Sequence, residues 1–213
     1  MQRRELIWLA AMPLVAGKRV EVFDGKTLGG WVSEGGKPQQ WVVEGGLLKN
    51  GPAGKVNNLV SEREFGDVEV EVEFRIPKGS NSGVYLMGLY EVQIFDSFGK
   101  EKITTQDGGS IYHRLIEGKP VGGSVARVNA AKAAGEWQRY RIVFRAPRFR
   151  GGKKTENARF ERVEFNGVLV QERVECEGPT RSAMAREEGL RGPLMIQGDH
   201  GPVEFRRILE RER

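Results

Sequence analysis

Cysteine is almost missing from this chain. Cys176 stands alone among 213 residues, so no disulfide can close within the chain. It reads as a small hydrophobe on a strand rather than as a nucleophile. With no cysteine near the N-terminus, a lipoprotein anchor is not expected. Histidine is nearly as scarce, represented only by His113 and His200. No apolar run is long enough to span a membrane. Lys and Arg outnumber Asp and Glu by 34 to 29, a net charge of +5 that is scattered rather than clustered. No Lys/Arg block interleaved with aromatics occurs, which argues against nucleic acid as a partner. Helical periodicity is scarce as well.

Residues 1–17 differ from the remainder. Arg3 and Arg4 precede an apolar segment from Leu6 to Gly17 that ends in small residues. That is the pattern of a short export signal, twin-arginine in type, cleaved near Ala16 or Gly17. A packed or frayed N-terminal strand is the competing reading. Export would make the mature protein periplasmic or secreted. Residues 18–213 are then a single domain, since no linker, repeat or low-complexity tract divides them and all-β sandwiches of this size are commonly single.

What the chain has in abundance is glycine, 29 residues of it, and two-residue alternation. In DVEVEVEFRI (67–76), Val68, Val70, Val72, Phe74 and Ile76 face one way and Glu69, Glu71, Glu73 and Arg75 the other. Comparable runs recur to the end of the chain, ten or more in all. Asn166-Gly167 between two such runs predicts a type I′ hairpin, which needs positive φ twice, and Gly45-Gly46 predicts another. The pattern predicts an all-β, antiparallel two-sheet sandwich. Segments 97–109 and 116–135 read as long loops near a site, and 175–190 as irregular with a short helical turn around Ala183 to Glu188. Trp31 and Trp41 read as core.

The most informative stretch is NSGVYLMGLYEVQIFD (81–96). It puts Glu91 and Gln93 on the strand face opposite Val92 and Ile94. With Arg75, Asn81 and Asp96 near in sequence, that face suits a polyhydroxylated ligand. Gln197, Asp199 and His200, in QGDHG, join it if the fold brings the segment there. Each has a plainer reading: Glu91 and Gln93 as solvent-facing strand residues, Asp199-His200-Gly201 as a turn, and Asp96 as a strand-end turn residue. His113 reads as a packed or exposed strand histidine rather than a catalytic one.

FDGKTLGGW, SNSGVYL, YEVQIFD, GEWQRYRI, FNGVLV and QGDHGPVEFRRI, in this order from about residue 20 to 209, resemble the 3-keto-disaccharide hydrolase domain family. Each marker is weak alone; six in one order are specific. Gly198, which spaces Gln197 from Asp199-His200, departs from the family pattern, as does the basic segment 147–158. The resemblance implies a jelly roll of the concanavalin A-like lectin and glucanase type, with a site on its concave sheet and 3-keto-glucoside 1,2-lyase or 3-keto-2-hydroxy-glucal hydratase activity. A ketone at C3 acidifies the C2 hydrogen, so the C1 substituent can leave by β-elimination and water can then add. Such chemistry needs a base, a proton donor and a positive group at the enolate oxygen.

His200 is the candidate base or a metal ligand. Glu91 is a candidate acid, base or ligand, and Arg75 the candidate electrophile. Asn81, Gln93, Asp96, Gln197 and Asp199 are candidates to bind hydroxyls. A carboxylate, an imidazole and an amide together would also suit Ca²⁺, Mn²⁺ or Zn²⁺. A non-catalytic carbohydrate-binding module is the competing function, and an ordinary two-carboxylate glycoside hydrolase a third.

Overall fold

The computed structural model describes Gly17 and residues 19–213; the rest of the expected export signal lies outside the described residues. The period-two runs form strands β1 (Val20–Phe23), β2 (Trp31–Ser33), β3 (Val42–Glu44), β4 (Leu47–Lys49), β5 (Leu59–Phe65), β6 (Val68–Arg75), β7 (Asn81–Leu86) and β8 (Tyr90–Phe95). They continue as β9 (Arg114–Ile116), β10 (Lys119–Val121), β11 (Gln138–Arg145), β12 (Arg148–Arg150) and β13 (Lys153–Glu156). The chain closes with β14 (Ala158–Phe165), β15 (Val168–Cys176), β16 (Gly192–Ile196) and β17 (Glu204–Glu212).

These build two antiparallel sheets packed face to face. The larger runs β15-β14-β11-β6-β17-β4-β3, with β1 also paired to β17; the smaller runs β2-β5-β16-β7-β8. β9–β10 and β12–β13 are separate hairpins. Between the sheets lies one main core, in which Val68, Val70, Val72, Phe74 and Ile76 of β6 meet Val84, Val92 and Ile94 of β7 and β8. Trp31 and Trp41 are buried there as expected, and their indole N–H groups donate to the carbonyls of Val22 and Asn57 at 2.8 Å each. Cys176 is buried at the end of β15, where desolvation pushes its thiol up to about 12. It is inert.

The two predicted hairpins form. Asn166 and Gly167 take φ of 52° and 83° between the paired Phe165 and Val168. Gly45 and Gly46, at 60° and 77°, join β3 to β4. The helical turn expected around Ala183 to Glu188 does not form. Ser182 sits at φ 62°, and nearby N–H groups are spent on distant turn and loop carbonyls: Thr180 to Leu89 and Met184 to Gly88 in the β7–β8 turn, and Arg181 to His113 before β9. That hydrogen bonding lays residues 177–191 as a strap across the outer face of the smaller sheet.

On the outer face of the larger sheet, the glutamates of β6 form a ladder with arginines. Glu69 is gripped by Arg141 and Arg211, Glu71 by Arg19 and Arg139, and Glu73 by Arg206. Burial pushes the Glu69 carboxyl up, but its two guanidinium partners outweigh that and hold it below the usual carboxylate range.

Candidate active site

Antiparallel register builds the floor of a pocket on the outer face of the smaller sheet. Across β16, β7 and β8 two rows of outward residues line up: Met195, Tyr85 and Glu91 in one, Gln197, Gly83 and Gln93 in the next. Gly83 is the low point. A Cβ there would collide with the Glu91 carboxyl and come 3.0 Å from the Tyr85 ring, so glycine leaves the space that the glutamate occupies. Tyr85 and Met195, with Val60, form a small outer apolar cluster capped by Met184 of the strap. Met184 itself lies where a side chain on Gly88 would be.

The pocket encloses about 140 Å³ and brings together Asn81, Glu91, Gln93, Gln197 and His200, five of the eight candidate residues. Glu91 is 2% exposed. Burial is the main cause that raises its carboxyl to about 8; the Tyr85 hydroxyl acts against this, and the Asp199 charge adds to it. Asn81, Gln93 and Gln197 each hold a buried amide oxygen with no hydrogen-bond partner. Buried acceptors are normally satisfied, so three in one cavity mark a place for ligand donors.

His200 and Asp199 are half-exposed at the mouth, and the Asp199 carboxylate lies 2.5 Å from His200 Nδ1. That contact fixes Nδ1 as the protonated nitrogen and leaves Nε2 able to accept a proton. Asp199 therefore orients the imidazole rather than lining the cavity. The turn carrying both is held from below by buried Asn50. Its amide donates to the carbonyls of Gly198 (3.1 Å) and Gly201 (2.8 Å) and accepts from the N–H of Val203 (2.8 Å). Gly198 is a close-approach glycine, since a Cβ would stand 2.6 Å from the Asn57 carbonyl oxygen. The spacer does not turn Gln197 away.

Two candidates fall outside. Arg75 stands on β6 of the larger sheet, paired with Glu204, and its guanidinium lies 4.9 Å from the Trp137 ring centre, with Arg206 at 4.5 Å from the same ring. It lines a separate cleft of about 520 Å³. Asn81 is only six positions further on, but the chain changes sheets between them. Asp96 closes the end of β8 by accepting the N–H of Gly79 at 2.9 Å, the strand-end role that its parity indicates.

Three residues that the sequence did not single out complete the wall: Tyr112, Arg181 and Ser182. Arg181 makes no ion pair among the described residues, in a chain whose arginines are mostly paired. It puts a positive charge in the wall of the pocket, where Arg75 does not reach. The loops at 97–109 and 116–135 do not line the pocket; the strap does. His113 is buried behind Tyr112, with ring centres 4.3 Å apart and Nδ1 3.2 Å from Thr105 Oγ1. Among the described residues no three His, Cys, Asp or Glu side chains group as a metal cage.

A jelly-roll sandwich of the concanavalin A-like lectin and glucanase type, with a polar pocket on one outer face, is the class that this architecture defines. Within that class the chain belongs to the 3-keto-alpha-glucoside-1,2-lyase-like domain family, whose model matches residues 18–209. A 3-keto-disaccharide hydrolase of Bacteroides thetaiotaomicron is 32% identical over 99 residues, 42% of this chain but only 34% of that protein. A crystal structure of a candidate glycosyl hydrolase from Parabacteroides distasonis superposes with a TM-score of 0.74 at 28% identity, covering 92% of this chain and 84% of the other. A second from the same organism has a TM-score of 0.65 at 22% identity, covering 92% and 100%, a likeness of fold.

Proposed function

We propose that the pocket takes a 3-keto-glycoside and breaks its C1–O bond by elimination, with hydration completing net hydrolysis. The observation that carries this is the meeting of Glu91, neutral at pH 7 because it is buried, with an Asp199-oriented imidazole and three unpartnered amide acceptors. His200 Nε2 takes the C2 proton. The C2–H electron pair becomes the C1=C2 double bond of the enone, and the C1–O pair departs with the leaving oxygen, which takes the Glu91 proton. Arg181 offsets the negative charge that builds at the C3 oxygen in the transition state. Asn81, Gln93 and Gln197 accept from sugar hydroxyls. Water added across the double bond returns a 3-keto sugar.

A binding module has no use for a buried carboxyl held neutral, which favours an enzyme over the lectin alternative. Glu91 is the one carboxylate in the pocket lining, which does not suit the paired carboxylates of ordinary glycosidases. Should a divalent cation take part, this donor set fits an oxygen-seeking ion such as Ca²⁺, held by the three amide oxygens and by Glu91 once ionised, and the ion would then take the place of the Glu91 proton. Zn²⁺ would find one imidazole and no thiolate. Arg3-Arg4 followed by the apolar segment Leu6 to Gly17 is what supports export by residues 1–17, which fractionation of cells expressing the full chain would test.

The deciding experiment is turnover of a 3-keto-glucoside by the unaltered protein, with and without a chelator, beside Glu91→Gln and His200→Ala. Each substitution is expected to lower kcat/KM by about 10²-fold or more, the scale of lost acid–base catalysis. Full rates in both variants would remove these residues from the mechanism. Retention of the sugar without product would favour the binding module.

A further inference from the structure

Across Tyr112 from the pocket lies a second hollow of about 230 Å³. Its walls come from Tyr112 and Arg114, from Gly122-Gly123 after β10, and from Glu177, Gly178 and Thr180 of the strap. The two cavities share Tyr112, and strap residues one step apart, Thr180 and Arg181, line one each. We propose that this hollow receives the leaving group of the substrate, a second sugar or a polar ring of that size, and that Tyr112, Arg114 and Gly178 set the preference for it. The proposal rests on the catalytic reading of the pocket.

Size is the first argument. At about 140 Å³ the catalytic pocket has room for about one sugar ring, so whatever is attached at C1 must sit outside it. Preorganisation is the second. One face of Tyr112 is fixed by buried His113, leaving an aromatic platform that a ring can lie against at little entropic cost. Arg114 is held by Glu177 at 2.8 Å, which sets its remaining N–H donors in place.

The bare floor is the third. Gly123 has φ 76°, and a side chain there would press on the Ile111 carbonyl at 2.9 Å. A Cβ on Gly178 would reach the Arg114 guanidinium at 2.9 Å. Glycine at 178 leaves room beside Arg114, and glycine at 123 lets the backbone of the wall pack closely. Cys176 forms part of the wall, and its raised thiol brings no competing nucleophile.

The test compares two substrates, the 3-keto form of methyl glucoside and the 3-keto form of a glucose disaccharide. They are given to the unaltered chain, to Gly178→Leu, which fills the hollow, and to Arg114→Ala, which empties it. The ratio of kcat/KM for disaccharide over methyl glycoside is expected to fall about 10-fold in each variant, the worth of a lost subsite contact. An unchanged ratio, or equal loss on both substrates, overturns the subsite while leaving the catalytic reading standing. Failure of the unaltered chain to act on either substrate overturns both.

Discussion

Glu91 shows how burial becomes chemistry. Below pH 4.5 folded and unfolded chains both keep its proton, so its ionisation costs the fold nothing. Between there and about 8 the unfolded chain ionises while the folded one does not, so stability declines across that window and levels off above it. Glu91→Gln should therefore gain stability over the unaltered protein as pH rises, on the order of a few kcal/mol by pH 9. Denaturant melts at pH 5 and pH 9 would read the difference. In the unaltered protein kcat/KM should fall as pH climbs through about 8 and the donated proton is lost. A rate that rises through that pH would make Glu91 a base instead.

The sequence separates less well which arginine matters. Arg181→Ala should lower kcat/KM about 10²-fold through the lost positive group, whereas Arg75→Ala should leave it within about twofold. Parity placed Glu91 and Gln93 correctly, because alternation is a local property, and nearness along the chain brought in Asn81. Arg75 failed on the same logic, since parity says which face of a strand a residue takes and not which sheet the strand joins. Arg181 carries no local signal; only the strap's hydrogen bonds to β7–β8 and to His113 bring it in.

Among elements, the strap and the β7–β8 pair are the decisive ones. Gly83→Ala puts a methyl group where the Glu91 carboxyl stands, and overpacking of this kind costs roughly 1–3 kcal/mol. We expect a matching fall in thermal midpoint together with a loss of turnover above tenfold, measured on the same preparation. A stable, fully active Gly83→Ala would mean that the pocket floor is elsewhere. The hairpins were legible because Asn-Gly and Gly-Gly have few other uses between alternating runs. The strap's alanines and glutamates favour a helix, but its N–H groups find acceptors in the β7–β8 turn and at His113 instead. Its closeness to the site follows from long-range pairing, which spacing along the chain does not record.

At the scale of the molecule, two outer faces of one sandwich have opposite characters. Alternation made the sandwich itself readable, since one apolar stripe per strand leaves little choice but two stacked sheets. One face carries the arginine–glutamate ladder, whose charges pair with one another; the other carries the hollow with three unpartnered amide oxygens. Anchoring the protein to a support through its ladder side should thus leave the working side free, so a bead or electrode coated that way would display every copy facing outward.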